Sequence, residues 1–64
     1  MVKINGINLD ADGKTLSEYL QTTDYQLSRI AVEINLEIVP KEKFDTIVLH
    51  NGDEVEIVSF MGGG

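Results

Sequence analysis

The chain of 64 residues contains no cysteine and no tryptophan, and it has only one proline and one histidine. Without cysteine, neither a disulfide nor a thiolate zinc site can stabilise so small a domain, so its apolar residues must do so. The sequence has no run of ~18 apolar residues, as a transmembrane helix needs, and no basic and apolar leader at its start. These absences predict one domain, located in the cytoplasm.

Basic residues are scarce as well. Five Lys and Arg residues stand against eleven Asp and Glu residues, which gives a net charge of −6. Such a surface repels the phosphates of nucleic acids and the headgroups of anionic membranes, so we expect neither as a partner. A protein with a basic surface is the complementary partner.

Groups suited to catalysis or metal binding are not clustered in the sequence. His50 has no second histidine or cysteine at ligand spacing. The acidic pairs Asp10/Asp12 and Asp53/Glu54 fall at predicted turns, where aspartate is common because it forms local hydrogen bonds. We therefore expect no catalytic side chain, no metal site and no enzymatic activity in this chain.

The first half of the chain predicts a hairpin followed by a helix. Apolar and polar residues alternate over 1–5 and 7–10, and Asn5-Gly6 between them is typical of a type I′ turn. Thr15 and Glu18 have the spacing of a capping box. Leu16, Tyr19 and Leu20 then follow at helical spacing and predict a short helix.

The second half predicts further strands. Residues 30–34 alternate, and 38–40 form a short edge strand that Pro40 ends. Phe44 is expected to enter the core from a loop. Two more strands, 46–49 and 54–60, are predicted on either side of a hairpin turn at Asn51-Gly52.

This order of elements predicts an α+β fold of the β-grasp, or ubiquitin-like, type. One helix packs across one face of a mixed sheet. The crossover through the helix is expected to place the strand group that follows it parallel to a strand of the first pair.

The chain ends Met61-Gly62-Gly63-Gly64. We expect a β-grasp domain over 1–61 and a flexible tail over 62–64, whose glycines lack a Cβ and can enter a narrow channel. Extended, the three glycines reach ~10 Å beyond the domain. A frayed end, a cloning scar or a piece of linker would also explain them.

The last strand predicts a docking patch beside the tail. If Val55 and Ile57 face the helix, the two-residue period of a strand puts Val58 and Phe60 on the other face. Met61 continues this apolar segment, and the patch also includes two acidic residues on the same side as Val58, namely Glu54 and Glu56. The alternative is that a neighbouring strand or loop covers Val58 and Phe60.

Nearly the whole chain resembles the ThiS-type sulfur carriers of thiamin biosynthesis. The segments that carry the resemblance are 2–6, 15–20, 30–33, 38–41, 49–58 and the terminal glycines. The run Gly-Asp-Glu-Val-Glu-Ile-Val over 52–58, together with those glycines, is the most specific part.

The resemblance implies that the chain is a substrate of other enzymes. A ThiF-like, E1-type enzyme would use ATP to adenylate the Gly64 carboxylate, and a sulfur donor protein would convert the product to a thiocarboxylate. That group would deliver sulfur to a ThiG-like thiazole synthase, while the carrier itself binds no cofactor. A terminal glycine carboxylate that is activated in this way is also found in other carriers, namely molybdopterin synthase small subunits, tRNA-thiolation carriers and ubiquitin-like modifiers. A plain β-grasp interaction module is a further alternative.

Two positions depart from the family pattern. Asn35 is followed by Leu36 where the family usually has Asn-Gly, and no glycine stands near the end of the helix. Because leucine resists positive φ, we expect the turn at Asn35-Leu36 to be of another type or to carry a bulge.

Overall fold

The computed structural model describes residues 1–60, which form a five-stranded sheet with one α-helix. The elements are β1 (Val2–Ile4), β2 (Ile7–Leu9), α1 (Leu16–Leu20), β3 (Ile30–Ile34), β4 (Glu37–Ile38) and β5 (Glu54–Ser59), with 3₁₀ turns at Leu27–Arg29 and Lys41–Lys43. No helix of this part of the chain is long and apolar enough to cross a membrane.

The first hairpin is confirmed. β1 and β2 pair antiparallel, with Ile4 opposite Ile7. Asn5 and Gly6 have φ angles of 49° and 83°, as a type I′ turn requires. Glycine adopts such an angle without the steric cost that a Cβ brings.

The capping box at the start of α1 is also confirmed. The Thr15 hydroxyl accepts a hydrogen bond from the Glu18 amide at 3.1 Å, and the Glu18 carboxylate accepts one from the Thr15 amide at 2.7 Å. Such a cap stabilises a helix by about 1 kcal/mol, which matters for a helix of five residues. The helix ends at Gln21, whose φ of −63° needs no glycine.

The sheet has the order β2-β1-β5-β3-β4, so the last strand lies at its centre. β5 runs parallel to β1 and antiparallel to β3. After the helix, β3 runs in the same direction as β2, as expected for a strand parallel to one member of the first pair, but it pairs with neither strand of that hairpin. The parallel neighbour is β5, which fills the space between β1 and β3.

The predicted strand over 46–49 is absent from the described residues, and the hairpin that would join it to β5 is wrong. This segment pairs instead with the loop that enters the helix. The Leu16 amide donates to the Ile47 carbonyl at 2.9 Å, and the Leu49 amide donates to the Lys14 carbonyl at 2.8 Å. The Asn51-Gly52 turn is present, with φ of 91° at Gly52, but it leads from this loop directly into β5.

The core lies between the helix and one face of the sheet. Its fully buried side chains include Leu16 of the helix, Leu49 of the loop, and Val32 and Val55 of the central strands. Phe44, at the end of the second 3₁₀ turn, is 3% exposed, which confirms that it enters the core from a connection.

Candidate functional site

The residue alternation of β5 is as predicted. Val55 and Ile57 are 1% and 7% exposed and belong to the core, whereas Val58 and Phe60 are 52% and 55% exposed. In the described residues, no neighbouring strand or loop buries Val58 and Phe60, as the alternative interpretation required. Both side chains are thus accessible to solvent, Val58 within β5 and Phe60 just after its last residue.

Acidic side chains lie beside this apolar pair. Glu54 and Glu56 are exposed on β5, and Glu33 of β3 is directly opposite Glu56. Residues opposite one another share a face of the sheet, so Glu33 belongs to the same surface. Glu33 could not be recognised from the sequence as part of this surface, because its neighbour Glu56 is 23 positions away along the chain.

The turn between β3 and β4 differs from the prediction. Ile34 is paired with Glu37, and the two residues between them, Asn35 and Leu36, have φ angles of 52° and 71°. The chain therefore makes a two-residue turn with both angles positive, without a bulge. The expectation of another turn type is wrong, because contacts to β5 outweigh the preference of leucine.

Those contacts come from Asn35. Its backbone amide donates to the Glu54 carbonyl at 2.8 Å, and its side-chain oxygen accepts from the Glu54 amide at 3.0 Å. Its side-chain nitrogen donates to the Asp53 carboxylate at 3.0 Å. Three hydrogen bonds thus fix the turn against the start of β5.

The remaining predicted site residues lie outside the described residues. These are Met61, Gly62, Gly63 and Gly64. The described chain ends at Phe60, whose amide donates to the Arg29 carbonyl at 2.7 Å. The proposed roles of the tail therefore depend on its sequence and on relatives.

Two of the acidic groups singled out by the sequence, Asp53 and Asp12, form local contacts. The Asp53 carboxylate accepts from the His50 amide at 2.9 Å, which supports the turn interpretation of both residues. Asp12 forms an ion pair with the terminal amine of Met1 at 3.4 Å. Within residues 1–60, no three His, Cys, Asp or Glu side chains are grouped to hold a metal ion.

Tyr19, beside the core, is a poor candidate for a general base. Burial raises the pKa of its phenol, and the nearby Tyr25 adds a smaller rise to that pKa. The phenol is therefore neutral near pH 7, and it belongs to the helix rather than to the surface that carries Val58 and Phe60.

Comparisons with known proteins agree with this architecture. The model described as the ThiS family matches residues 2–64. The sulfur carrier protein ThiS of Thermus thermophilus is 38% identical over 64 residues, which is 100% of each chain. The crystal structure of a thiamine biosynthesis protein (ThiS) from Geobacter metallireducens has a TM-score of 0.79 at 34% identity, covering 98% of this chain and 97% of that one.

One relative is a much larger protein. A thiazole synthase of Paramagnetospirillum magneticum is 53% identical over 36 residues, which is 56% of this chain. The chain spans only 11% of the length of that protein.

Proposed function

Because the chain belongs to the ThiS family and is a sulfur carrier of thiamin biosynthesis, we propose that the Gly64 carboxylate carries the sulfur. The observation that supports this most strongly is the family match, which extends from residue 2 through residue 64 and so includes the glycines. The relatives named ThiS favour the thiamin pathway over molybdopterin synthesis and tRNA thiolation.

The proposed chemistry takes place in partner enzymes. The Gly64 carboxylate attacks the α-phosphorus of ATP in an E1-like enzyme, which releases pyrophosphate and leaves an acyl-adenylate. A sulfur donor protein then delivers sulfur at the oxidation level of sulfide, which attacks the acyl carbon, and the bond from that carbon to the AMP oxygen breaks as AMP leaves. The resulting thiocarboxylate is more nucleophilic than the carboxylate, and the chain contributes no catalytic side chain.

A thiazole synthase is the proposed acceptor of the sulfur. The thiazole synthase of P. magneticum contains a stretch 53% identical to part of this chain, although this stretch is a small part of its length. A carrier-like segment within such an enzyme supports a direct encounter between carrier and synthase.

Docking is proposed to use the surface next to the tail. Val58 and Phe60 offer exposed apolar area there, and Met61 follows them in the sequence. Glu56 and, farther from the tail, Glu54 add negative charge on the same side of β5. An apolar centre with a charged rim is the usual composition of a transient protein interface.

The decisive test of the proposal changes the terminal carboxylate. Converting it to an amide should abolish sulfur loading, since the neutral amide has no carboxylate oxygen to attack ATP. Deleting Gly64 shortens the chain by ~3.5 Å and should reduce loading by ~100-fold or more, because misplacement by ~1 Å already has such effects.

Both variants are incubated with the activating enzyme, ATP and a sulfur source, and mass spectrometry measures the replacement of oxygen by sulfur. Their thermal unfolding should match that of the unchanged protein, since residue 64 follows the last strand. Thiazole formation by the amide at the normal rate would refute the proposal and favour the interaction-module alternative.

A second test concerns the patch. Phe60→Ala should weaken binding to the activating enzyme or the synthase by ~2 kcal/mol, as is typical for an apolar anchor. Its effect on stability should be small, because the side chain is 55% exposed. Binding is measured by titration calorimetry, with Ile7→Ala as control, since Ile7 is 63% exposed on the edge strand β2. Equal effects of the two substitutions would exclude a docking role for Phe60.

A further inference from the structure

The most exposed large apolar side chain of the described residues is Leu36, at 86%. It also has the unfavourable φ angle of 71°, in a region that leucine rarely occupies. Glycine or asparagine at this position would form the same turn with less strain. Neither burial nor backbone preference therefore explains a leucine here.

Leu36 does not stand alone on this surface. Ile38, which is 73% exposed, lies opposite Glu33 and so shares the face that carries Glu33 and Glu56. Leu36 itself lines a shallow cleft of about 270 Å³ with Asn35 and three acidic side chains, namely Glu33, Glu54 and Glu56. The two apolar side chains and the cleft are called the distal patch below.

Leu36, at the far end of the distal patch, is remote from the tail. The Asn35 hydrogen bonds fix its turn to Glu54, the first residue of β5, whereas the tail continues from the other end of that strand. Five residue steps at ~3.3 Å separate the two ends, which is a distance of ~17 Å. Leu36 can therefore contact a partner at a point well away from the reacting carboxylate.

The charge of the distal patch indicates what binds there. Three carboxylates line the cleft, and the whole chain has a net charge of −6. An exposed leucine beside these carboxylates complements a protein surface with an apolar socket and Lys or Arg residues around it. Nucleic acid and anionic lipid carry the wrong charge.

We propose that the distal patch is a second docking point for the thiazole synthase, with Leu36 as its apolar anchor. This inference rests on the proposed function, which names that enzyme as the sulfur acceptor. It adds a contact far from the chemistry, which sets the affinity and the choice of partner. The rate of sulfur transfer within the complex does not depend on it.

The test uses two substitutions that suit a positive φ angle. Leu36→Asn and Leu36→Gly should both raise the dissociation constant for the synthase by ~10-fold, in line with the loss of an interface anchor. Leu36→Gly should at the same time raise the melting temperature by up to ~4 °C, because strain is removed. Stability and affinity thus move in opposite directions, and misfolding cannot account for the loss.

The probe is the thiazole synthase of the same organism, titrated with the full 64-residue carrier in its ordinary carboxylate form. Leu27→Asn is the matched control, because Leu27 is 45% exposed but lies in the 3₁₀ turn before β3. This control should change the dissociation constant less than twofold. Since no thiocarboxylate is needed, failure of the sulfur chemistry leaves this measurement intact.

Two further measurements separate the parts of the proposal. In single-turnover sulfur transfer, Leu36→Asn should raise the carrier concentration for half-maximal rate ~10-fold and leave the maximal rate unchanged. Glu33→Gln combined with Glu56→Gln should reduce the salt dependence of binding. Wild-type affinity of Leu36→Asn for the synthase, even with weaker binding to the adenylating enzyme, would overturn the proposal.

Discussion

Two two-residue turns on opposite sides of β5 have the same backbone conformation and begin with asparagine, but they differ in the residue that follows it. Asn5-Gly6 joins β1 to β2, and Asn35-Leu36 joins β3 to β4, and all four residues have positive φ. In both turns the asparagine oxygen accepts a hydrogen bond from a β5 amide, at 2.8 Å from Ile57 and 3.0 Å from Glu54.

The shared asparagine shows what the fold requires of each turn. Its side chain mimics a peptide group and continues the hydrogen bonding between β5 and the adjacent hairpin, where the hairpin strand itself turns away. The side chain of the second residue is not needed for this hydrogen bonding. This residue is a glycine in one turn and a strained, exposed leucine in the other. In the second turn, Asn35 therefore stabilises the sheet, whereas Leu36 is available to contact a partner.

The largest expected effect is that of Asn5→Gly. Glycine keeps the positive φ, so the loss comes from the side chain, which accepts from the Ile57 amide and donates to its carbonyl at 3.3 Å. Both bonds are partly buried, so we expect a loss of about 2 kcal/mol in the free energy of unfolding, measured in urea.

Asn35→Gly is its matched control. The hydrogen bonds of the Asn35 side chain are exposed to water, so the expected loss is about 1 kcal/mol. A greater loss for Asn35→Gly than for Asn5→Gly would show that burial of these bonds does not set their value.

Exchanging the second residues has a smaller effect. Gly6→Leu should destabilise the protein by about 1 kcal/mol, since a Cβ there meets no atom within 4 Å and only the φ angle opposes it. Leu36→Gly should stabilise it by somewhat less than about 1 kcal/mol, because glycine also adds entropy to the unfolded chain. Thermal unfolding of both variants measures the two shifts, and shifts of the same sign would contradict the strain assigned to Leu36.

Local chemistry explains which parts of the fold were predictable. The Asn5-Gly6 turn, the Thr15–Glu18 capping box and the alternation of β5 each depend on residues a few positions apart, and all are confirmed. The strand expected over 46–49, ahead of the Asn51-Gly52 turn, is not formed among the described residues. The hydrogen-bond partners of this segment belong to the loop that enters the helix, which is about 30 residues earlier in the chain. No pattern within the segment itself predicts this pairing.

The same division applies to the candidate site. The glycine tail and the apolar pair Val58 and Phe60 could be selected from the sequence, although their roles remain proposals. Glu33, Leu36 and Ile38 were not selected, because only strand pairing brings Glu33 opposite both Glu56 and Ile38. The alternation of apolar and polar residues within one strand does not show which residues of another strand lie beside it.

The sequence by itself determined the first hairpin, the capped helix, the alternation of β5 and the family, since these follow from short-range preferences and from motifs. Tertiary structure decided the central place of β5, the pairing of 46–49 and the conformation of Leu36. The physical reason is the size of the competing terms. A preference of leucine against positive φ amounts to ~1–2 kcal/mol, and the three hydrogen bonds that Asn35 makes to residues 18 and 19 positions away outweigh it.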